Sequence, residues 1–236
     1  MSTPIRRVAV LAPMPSELAP VVKVMALNRL GDASDHVGRV GGVEVVATRT
    51  GMGQALATAV ANRLLDAETV DHVIVVGIAG GIGTSTVGAL VCPSEVVDGA
   101  TGRRYAATPL TDLANGVISS SDEFIVDPER VGALVASGVR AVDMETAAIA
   151  AVCAERGVAW SAVRVVSDLA TDHPDAAMLG LAHPDGSPNL PAAFRFMLTH
   201  PRRVPQMLRI GRDSMSAARG AAAEAARQIR ALPGGH

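Results

Sequence analysis

The sequence predicts a single α/β domain spanning all 236 residues, with a mixed, largely parallel central sheet flanked by helices. Short apolar runs followed by glycine or acidic residues alternate with segments whose apolar residues recur at helical spacing. Such runs are typical of parallel strands buried on both faces and joined by right-handed crossovers. The chain shows no internal repeat and no linker, and its hydrophobic content of 49% is enough for a large core.

The composition argues against several classes of protein. A net charge of −2 and an aromatic content of 2% disfavour nucleic-acid binding, which relies on basic surfaces and stacking. Cys92 and Cys153 have neither metal-site spacing nor a disulfide pattern, and we expect no metal and no cofactor. The N-terminus does not resemble a signal peptide, and no apolar run could span a bilayer, so we expect a cytoplasmic protein.

The first half of the chain predicts four strands, over residues 8–11, 43–48, 72–76 and 89–97. A helix from Pro15 or Ser16 toward Leu27 follows the first strand, and a second helix follows Gln54. Glycine-rich stretches at 51–53 and 77–83 come after strands, where bare backbone could approach a ligand, although ordinary tight turns explain them equally well. Neither stretch fits a P-loop or the dinucleotide-binding fingerprint.

The second half predicts a further series of elements around a polar segment at 99–115. They are a short strand at 116–119, a short helix around 131–135, a strand at 139–142, a helix at 144–156, a strand at 160–166, a loop or lid at 173–191, and two helices within 191–232. The last of these is an extended, arginine-rich helix at about 203–232. Its simplest interpretation is a solvated helix, because it has no large aromatic or leucine face.

Three acidic residues are candidates for chemistry because each follows a predicted strand. Asp143 can cap the helix that begins after residue 142, and Glu145 falls in its first turn. Glu17 and Asp168 occupy similar junctions, and strand ends of this kind share one edge of an α/β sheet. Converging carboxylates at Glu17, Glu145 and Asp168 would suit acid/base work and hydroxyl binding, with a divalent cation as an alternative. Each acid could also simply start a helix or a turn.

Six sequence elements occur in an order that resembles the purine nucleoside phosphorylase/nucleosidase superfamily. They are Met14-Pro15-Ser16-Glu17, Thr50-Gly51-Met52-Gly53, Gly77-Ile78-Ala79-Gly80-Gly81, Ser120-Ser121-Asp122-Glu123-Phe124-Ile125, Val142-Asp143-Met144-Glu145 and Arg164-Val165-Val166-Ser167-Asp168. Within the superfamily, the chain is most similar to the methylthioadenosine/S-adenosylhomocysteine nucleosidase-like and hopanoid-associated nucleosidase-like branches. Futalosine hydrolases form a third similar branch. The resemblance implies a nucleoside phosphorylase-like fold.

The resemblance implies catalytic roles for three residues. Glu17 would hold and activate the attacking water, with Arg164 beside it, and Asp168 would protonate N7 of the purine. These roles suit the chemistry, because cleavage of an N-glycosidic bond leaves negative charge on the base and positive charge on the sugar. An acid at N7 neutralises the departing base, and carboxylates near the ribose stabilise the cationic sugar.

Substrate binding is implied for seven further residues. Glu145 would accept hydrogen bonds from the ribose hydroxyls beside Met144, while Phe124 would pack on the purine and backbone groups of Ile125 would read its edge. The other three residues for which the resemblance implies substrate binding are Gly53, Ile78 and Ala79. The isoleucine departs from the family, which frequently has serine there in a Gly-Ser-Ala-Gly-Gly stretch.

The sequence favours water over phosphate as the nucleophile. Phosphorylases of this superfamily carry Gly-Asp-Pro-x-Arg near the N-terminus and an arginine before the second glycine turn. This chain has Ala-Pro-Met-Pro at 12–15 and Asp-His-Val at 71–73, so both cationic phosphate ligands are missing. We therefore predict a hydrolase acting on an adenine-type nucleoside with an apolar 5′ substituent. A phosphate-dependent purine nucleoside phosphorylase and a non-catalytic nucleoside-binding protein are the alternatives.

The sequence also suggests partners. A mean hydropathy of +0.30 favours an apolar subunit interface, and the resemblance implies a homodimer or higher homo-oligomer. The C-terminal helix could serve as a dimer element, a lid or a contact with a membrane surface. The other expected partners are a purine nucleoside as the substrate and either water or phosphate as the nucleophile. We expect no nucleic-acid partner.

Overall fold

The computed structural model describes residues 4–30, 34–123, 125, 127–169, 189, 195 and 199–233. Its strands are β1 (Arg7–Ala12), β2 (Asn28–Arg29), β3 (His36–Val40), β4 (Val43–Arg49), β5 (His72–Gly81), β6 (Leu90–Val91), β7 (Glu95–Asp98), β8 (Arg104–Ala106), β9 (Val117–Ser120), β10 (Val139–Asp143) and β11 (Ala159–Leu169). Its helices are α1 (Pro15–Met25), α2 (Gln54–Ala67), α3 (Pro128–Ala136), α4 (Thr146–Arg156) and α5 (Val204–Arg230), and a 3₁₀ turn (Pro201–Arg203) precedes α5.

All of these strands belong to one sheet, with β5 at its centre. The order is β2-β3-β4-β1-β5-β10-β9-β7-β8, while β11 pairs with both β5 and β6. β1 and β11 run parallel to β5 on its two sides, and β10 meets only the end of β5, in the antiparallel direction. Antiparallel pairs also form the outer parts of the sheet. The predicted mixed α/β fold is confirmed.

Helices cover both faces of the sheet, which explains why its central strands are mostly apolar on both faces. Val73 and Val75 of β5 belong to the core cluster that contains α2 and α4. Ile74 and Val76, which point to the other face, belong to the cluster that contains α1 and α5. Cys92 and Cys153 are both buried with free thiols. Within the described part of the chain, no helix is long and apolar enough to cross a membrane.

The extended C-terminal helix is confirmed, but its interpretation as a solvated helix is wrong for its second half. Six alanines between residues 217 and 226, together with Ile229, are buried. This half of α5 packs against α1, β5 and β11. Alanines let the helix approach the sheet closely, so a core-facing surface forms without leucines or aromatics. The other helix predicted within 191–232, and the predicted loop or lid at 173–191, lie almost entirely outside the described residues.

Two strand predictions need correction. The glycine-rich stretch at 77–83 is mostly strand and not a turn, because β5 continues to Gly81. The strand predicted at 89–97 is divided into β6 and β7. Gly77 shows why β5 contains glycines: a Cβ there would lie 2.1 Å from Oε1 of Glu17 and 2.6 Å from Nη1 of Arg164. Glycine therefore makes room for two charged side chains beside the strand.

This crowding predicts that Gly77→Ala destabilises the protein. The added methyl group has to displace a buried carboxylate and a buried guanidinium, and overpacking of this kind costs about 1–3 kcal/mol. Gly132→Ala in α3 is the matched control, since a Cβ there meets nothing within 4 Å and alanine favours a helix by up to about 1 kcal/mol. Urea unfolding measures both changes. A Gly77→Ala protein as stable as the wild type would contradict this packing.

Candidate active site

A cavity of about 250 Å³ opens where several strands of the sheet end. It is lined by the β1–α1 junction, Met52 after β4, the end of β5, the segment between β9 and α3, the β10–α4 junction and the end of β11. Ligands in open α/β sheets bind outside the carboxyl ends of the strands. The three predicted acids Glu17, Glu145 and Asp168 all line this cavity.

Glu17 is buried in the first turn of α1 and is held from two sides by backbone groups. Its Oε2 accepts a hydrogen bond from the N–H of Met14 at 2.8 Å, and its Oε1 accepts one from the N–H of Ile78 at 2.7 Å. Burial raises the pKa of Glu17 to about 7, although the Arg164 guanidinium and both N–H donors lower it. Because the residue at 78 contributes its backbone, isoleucine can occupy this position as well as serine.

Arg164 is wholly buried in β11 and lies among three carboxylates. Its Nη2 is 2.7 Å from Oδ2 of Asp143 and 3.5 Å from Oε2 of Glu145. Its Nη1 is 3.8 Å from Oε1 of Glu17. A buried charge is tolerated only when it is paired and hydrogen-bonded, so this guanidinium fixes where the three acids meet.

Glu145 occupies the N-cap position of α4, one residue before the first turn in which it was expected. Its Oε1 accepts a hydrogen bond from the N–H of Gly53 at 2.9 Å, which ties the loop after β4 to the start of α4. Burial raises the pKa of Glu145 to about 8, the Arg164 charge lowers it, and the Asp143 charge raises it further.

Asp143 is not the N-cap residue of α4 that the sequence predicted, because Glu145 occupies that position, but its carboxylate does accept N–H groups at the start of the helix. It also has a second role that the sequence did not reveal. Its Oδ1 accepts hydrogen bonds from the N–H groups of Glu145 and Thr146 at 3.3 and 3.2 Å. Its Oδ2 accepts one from the Thr146 hydroxyl and pairs with Arg164. The arginine itself was the available signal, because a cation inside the apolar strand at 160–166 requires a counter-charge.

Asp168 lies inside β11 and not after the strand as predicted. Val166 pairs with Ala79 and Asp168 pairs with Gly80, so Ser167 is an extra, bulged residue. A bulge of this kind redirects the following side chain, and bulges are common beside active sites. The Ser167 hydroxyl donates a hydrogen bond to Oδ1 of Asp168 at 2.5 Å, which orients the half-buried carboxyl group toward the cavity.

The other predicted binding residues are distributed unevenly. Met144, Ile125, Ile78 and Ala79 line the cavity, whereas Gly53 acts through its N–H bond to Glu145. Phe124 lies outside the described residues. The cavity also includes residues that the sequence did not single out, among them Met14, Met52, Val142, Ser167 and Leu169. They are apolar or small residues, all but Leu169 lie within the motifs, and no pattern distinguished them from core positions.

The charged side chains among the described residues that line the cavity are all acidic. Among the described residues that line the cavity there is no lysine, arginine or histidine, whereas Glu17, Glu123, Asp143, Glu145 and Asp168 are acidic. Arg164 lies behind the carboxylates and is paired with them. The described part of the chain contains no group of three or more histidine, cysteine or acidic side chains that could hold a metal ion.

Comparison with known proteins establishes the family. The model for the phosphorylase superfamily matches residues 7–115 and 106–187. The chain belongs to this phosphorylase superfamily. A 5′-methylthioadenosine/S-adenosylhomocysteine nucleosidase from a Shewanella species is 30% identical over 201 residues, covering 70% of this chain and 87% of that protein. The resemblance seen in the sequence motifs is confirmed.

Solved structures of other superfamily members share the fold. The 5′-methylthioadenosine/S-adenosylhomocysteine nucleosidase of Neisseria meningitidis, in complex with methylthio-immucillin-A, has a TM-score of 0.72 and 21% identity, and the match covers 97% of this chain and 100% of that one. The native futalosine hydrolase of Helicobacter pylori has a TM-score of 0.68 and 18% identity, with coverages of 95% and 97%. The likeness to these structures supports the fold described above for this chain.

The raised carboxyl pKa values predict that stability depends on pH. An ordinary glutamate loses its proton near 4.5, whereas buried Glu17 keeps its proton up to about 7. Between these values the folded protein binds more protons than the unfolded chain. The resulting stabilisation is complete below pH 4.5 and is lost as the pH rises through 7.

Glu17→Gln should therefore be less sensitive to alkaline pH than the wild type. Urea unfolding at about pH 5.5 and at about pH 8.5 gives the decrease in the free energy of unfolding between these two pH values for each protein. This decrease should be larger for the wild type than for Glu17→Gln by on the order of 1–3 kcal/mol. Glu129→Gln, which changes an exposed first-turn glutamate of α3, should behave like the wild type. Equal losses for Glu17→Gln and the wild type would contradict a buried, protonated Glu17.

Proposed function

We propose that this protein is a nucleosidase that uses water to cleave the N-glycosidic bond of a purine nucleoside. The observation that carries the proposal is the convergence of Glu17, Glu145 and Asp168 on one cavity whose described lining has no cationic side chain. The sequence similarity to a methylthioadenosine/S-adenosylhomocysteine nucleosidase supports the same reaction class. We propose an adenine-type substrate with an apolar 5′ substituent.

The charge of the cavity favours water over phosphate. A bound phosphate needs cationic hydrogen-bond donors, and Arg164 is already engaged by Asp143, Glu145 and Glu17. The carboxylates that face the cavity would repel an anionic nucleophile. A phosphorylase, the alternative reaction, would need cations from outside the described lining of this cavity.

Each acid has a distinct part in the proposed reaction. Glu17 takes a proton from the attacking water, and its pKa of about 7 places it where a general base works well at neutral pH. Glu145 accepts hydrogen bonds from the ribose 2′ and 3′ hydroxyls, and Asp168 donates a proton to N7 of the departing purine. Negative charge on the remaining carboxylates stabilises the oxocarbenium-like sugar.

The apolar part of the lining fits an apolar 5′ substituent. Met14, Met52, Met144 and Leu169 account for much of it, and methionines adapt to ligands of varied shape. A charged 5′ group would lose hydration against these side chains without gaining a cationic partner. A cytoplasmic location and a homodimeric assembly remain predictions, and light scattering on the purified protein would test the latter.

Base release in phosphate-free buffer tests the proposed reaction. Chromatography would follow purine release from methylthioadenosine, adenosylhomocysteine, adenosine, inosine and futalosine. We expect release from adenine nucleosides, fastest with the apolar methylthio group. Tight binding of these nucleosides without any product would contradict the proposal and indicate a binding protein, and turnover of inosine or futalosine alone would overturn the proposed substrate class.

Replacement of the proposed acid gives a second test. Asp168→Asn keeps the size of the side chain but cannot donate the proton in the same way, so kcat should fall by about 10²–10⁴-fold. Asp112→Asn removes an exposed carboxylate and should leave kcat unchanged. Circular dichroism confirms that both variants fold. Full activity of a folded Asp168→Asn protein would remove Asp168 from the mechanism.

A further inference from the structure

Arg164 is shared unequally among the three carboxylates around it. Asp143 is the closest, at 2.7 Å, which is the length of a charge-assisted hydrogen bond. The distances to Glu145 and Glu17, 3.5 and 3.8 Å, are longer than such bonds. Most of the neutralising effect of the guanidinium is therefore directed at Asp143, which is not one of the proposed reacting groups.

Asp143 is itself held firmly in place. Its Oδ1 accepts a hydrogen bond from the Ser120 hydroxyl at 2.5 Å and is also the acceptor for the backbone N–H groups at the start of α4. The Thr146 hydroxyl donates to Oδ2 of Asp143 and accepts a hydrogen bond from Nη2 of Arg164 at 3.1 Å. All of these partners of Asp143 are hydrogen-bond donors. The pair formed by Asp143 and Arg164 is thus a fixed unit.

We propose that Asp143 is a positioning residue that holds the Arg164 guanidinium away from Glu17 and so sets the electrostatic field in which the base works. The charged groups around Glu17 are Arg164 on β11, Asp143 on β10 and Glu145 at the start of α4, with Asp168 and Glu123 in the lining of the same cavity. Of these five groups, only Arg164 is cationic. The role of Glu17 as a base rests on the proposed function, whereas the electrostatic coupling between Asp143 and Glu17 does not.

The proposal makes a prediction with a definite sign. Burial raises the pKa of Glu17, Arg164 lowers it, and the negative charge of Asp143 raises it. If Asp143 is made neutral, the guanidinium remains and its attraction falls on Glu17 and Glu145. Glu17 should then lose its proton at a lower pH, because removal of one nearby charge shifts a buried carboxyl by about one pH unit or more.

The test is a ¹³C NMR titration of protein labelled at the glutamate carboxyl carbons. The Glu17 signal is assigned by its absence from Glu17→Gln, and its midpoint is compared in the wild type, Asp143→Asn and Asp143→Ser. Asparagine and serine both accept N–H groups at a helix start, so both variants retain the cap of α4 without the charge. We expect both to move the midpoint downward by about one pH unit.

Two controls separate a loss of charge at this site from other effects. Asp143→Glu keeps the charge and should keep the midpoint near the wild-type value. Asp66→Asn removes an exposed carboxylate that pairs with Arg156 and should have no effect on the midpoint. An unchanged or raised midpoint in the two neutral Asp143 variants would overturn the proposal, whatever happens to their thermal stability.

The titration requires no turnover, so its outcome is independent of the proposed reaction. If no nucleoside is cleaved, the proposed function fails while the titration still decides the role of Asp143. If a substrate is cleaved, the acid limb of kcat/KM should move to lower pH in Asp143→Asn. A residue with only a structural role would lower stability without moving that limb.

Discussion

The pairing of one buried guanidinium with three carboxylates is the interaction on which the site depends. Removing a charged group from water costs several kcal/mol even after relaxation, so Arg164 can lie inside β11 only because acids from other elements meet it. Those acids come from α1, the end of β10 and the start of α4. The same pairing leaves an excess of negative charge, and burial of that excess raises the pKa values of Glu17 and Glu145.

Backbone N–H groups fix the two glutamates of the site in place. The N–H groups of Met14 and Ile78 bind Glu17, and that of Gly53 binds Glu145. The backbone of Gly77 leaves space for Glu17 and the arginine beside it. Such a site tolerates changes in nearby side chains, which explains how isoleucine can stand at position 78 where related sequences frequently have serine.

Local patterns in the sequence were sufficient for the fold and for the convergence of the acids at one edge of the sheet, although Asp168 lies inside β11 and not after it. Apolar runs identified the central strands, and the glutamate at position 145 was found because it follows a strand and precedes a helix. The remaining features depend on contacts between distant segments. The bulge at Ser167 arises from register against β5, β5 continues through its glycines because β10 and β11 pair with it, and the alanine face of α5 is recognisable only once its partners are known.

Phosphorus-31 NMR of turnover in phosphate buffer tests the central claim most directly, because that claim is that water and not phosphate attacks the sugar. We predict that base and free sugar accumulate while inorganic phosphate remains the only phosphorus signal. A sugar 1-phosphate signal that grows in step with released base would contradict the account, since it would require a cationic phosphate site in place of the carboxylate-lined cavity described above.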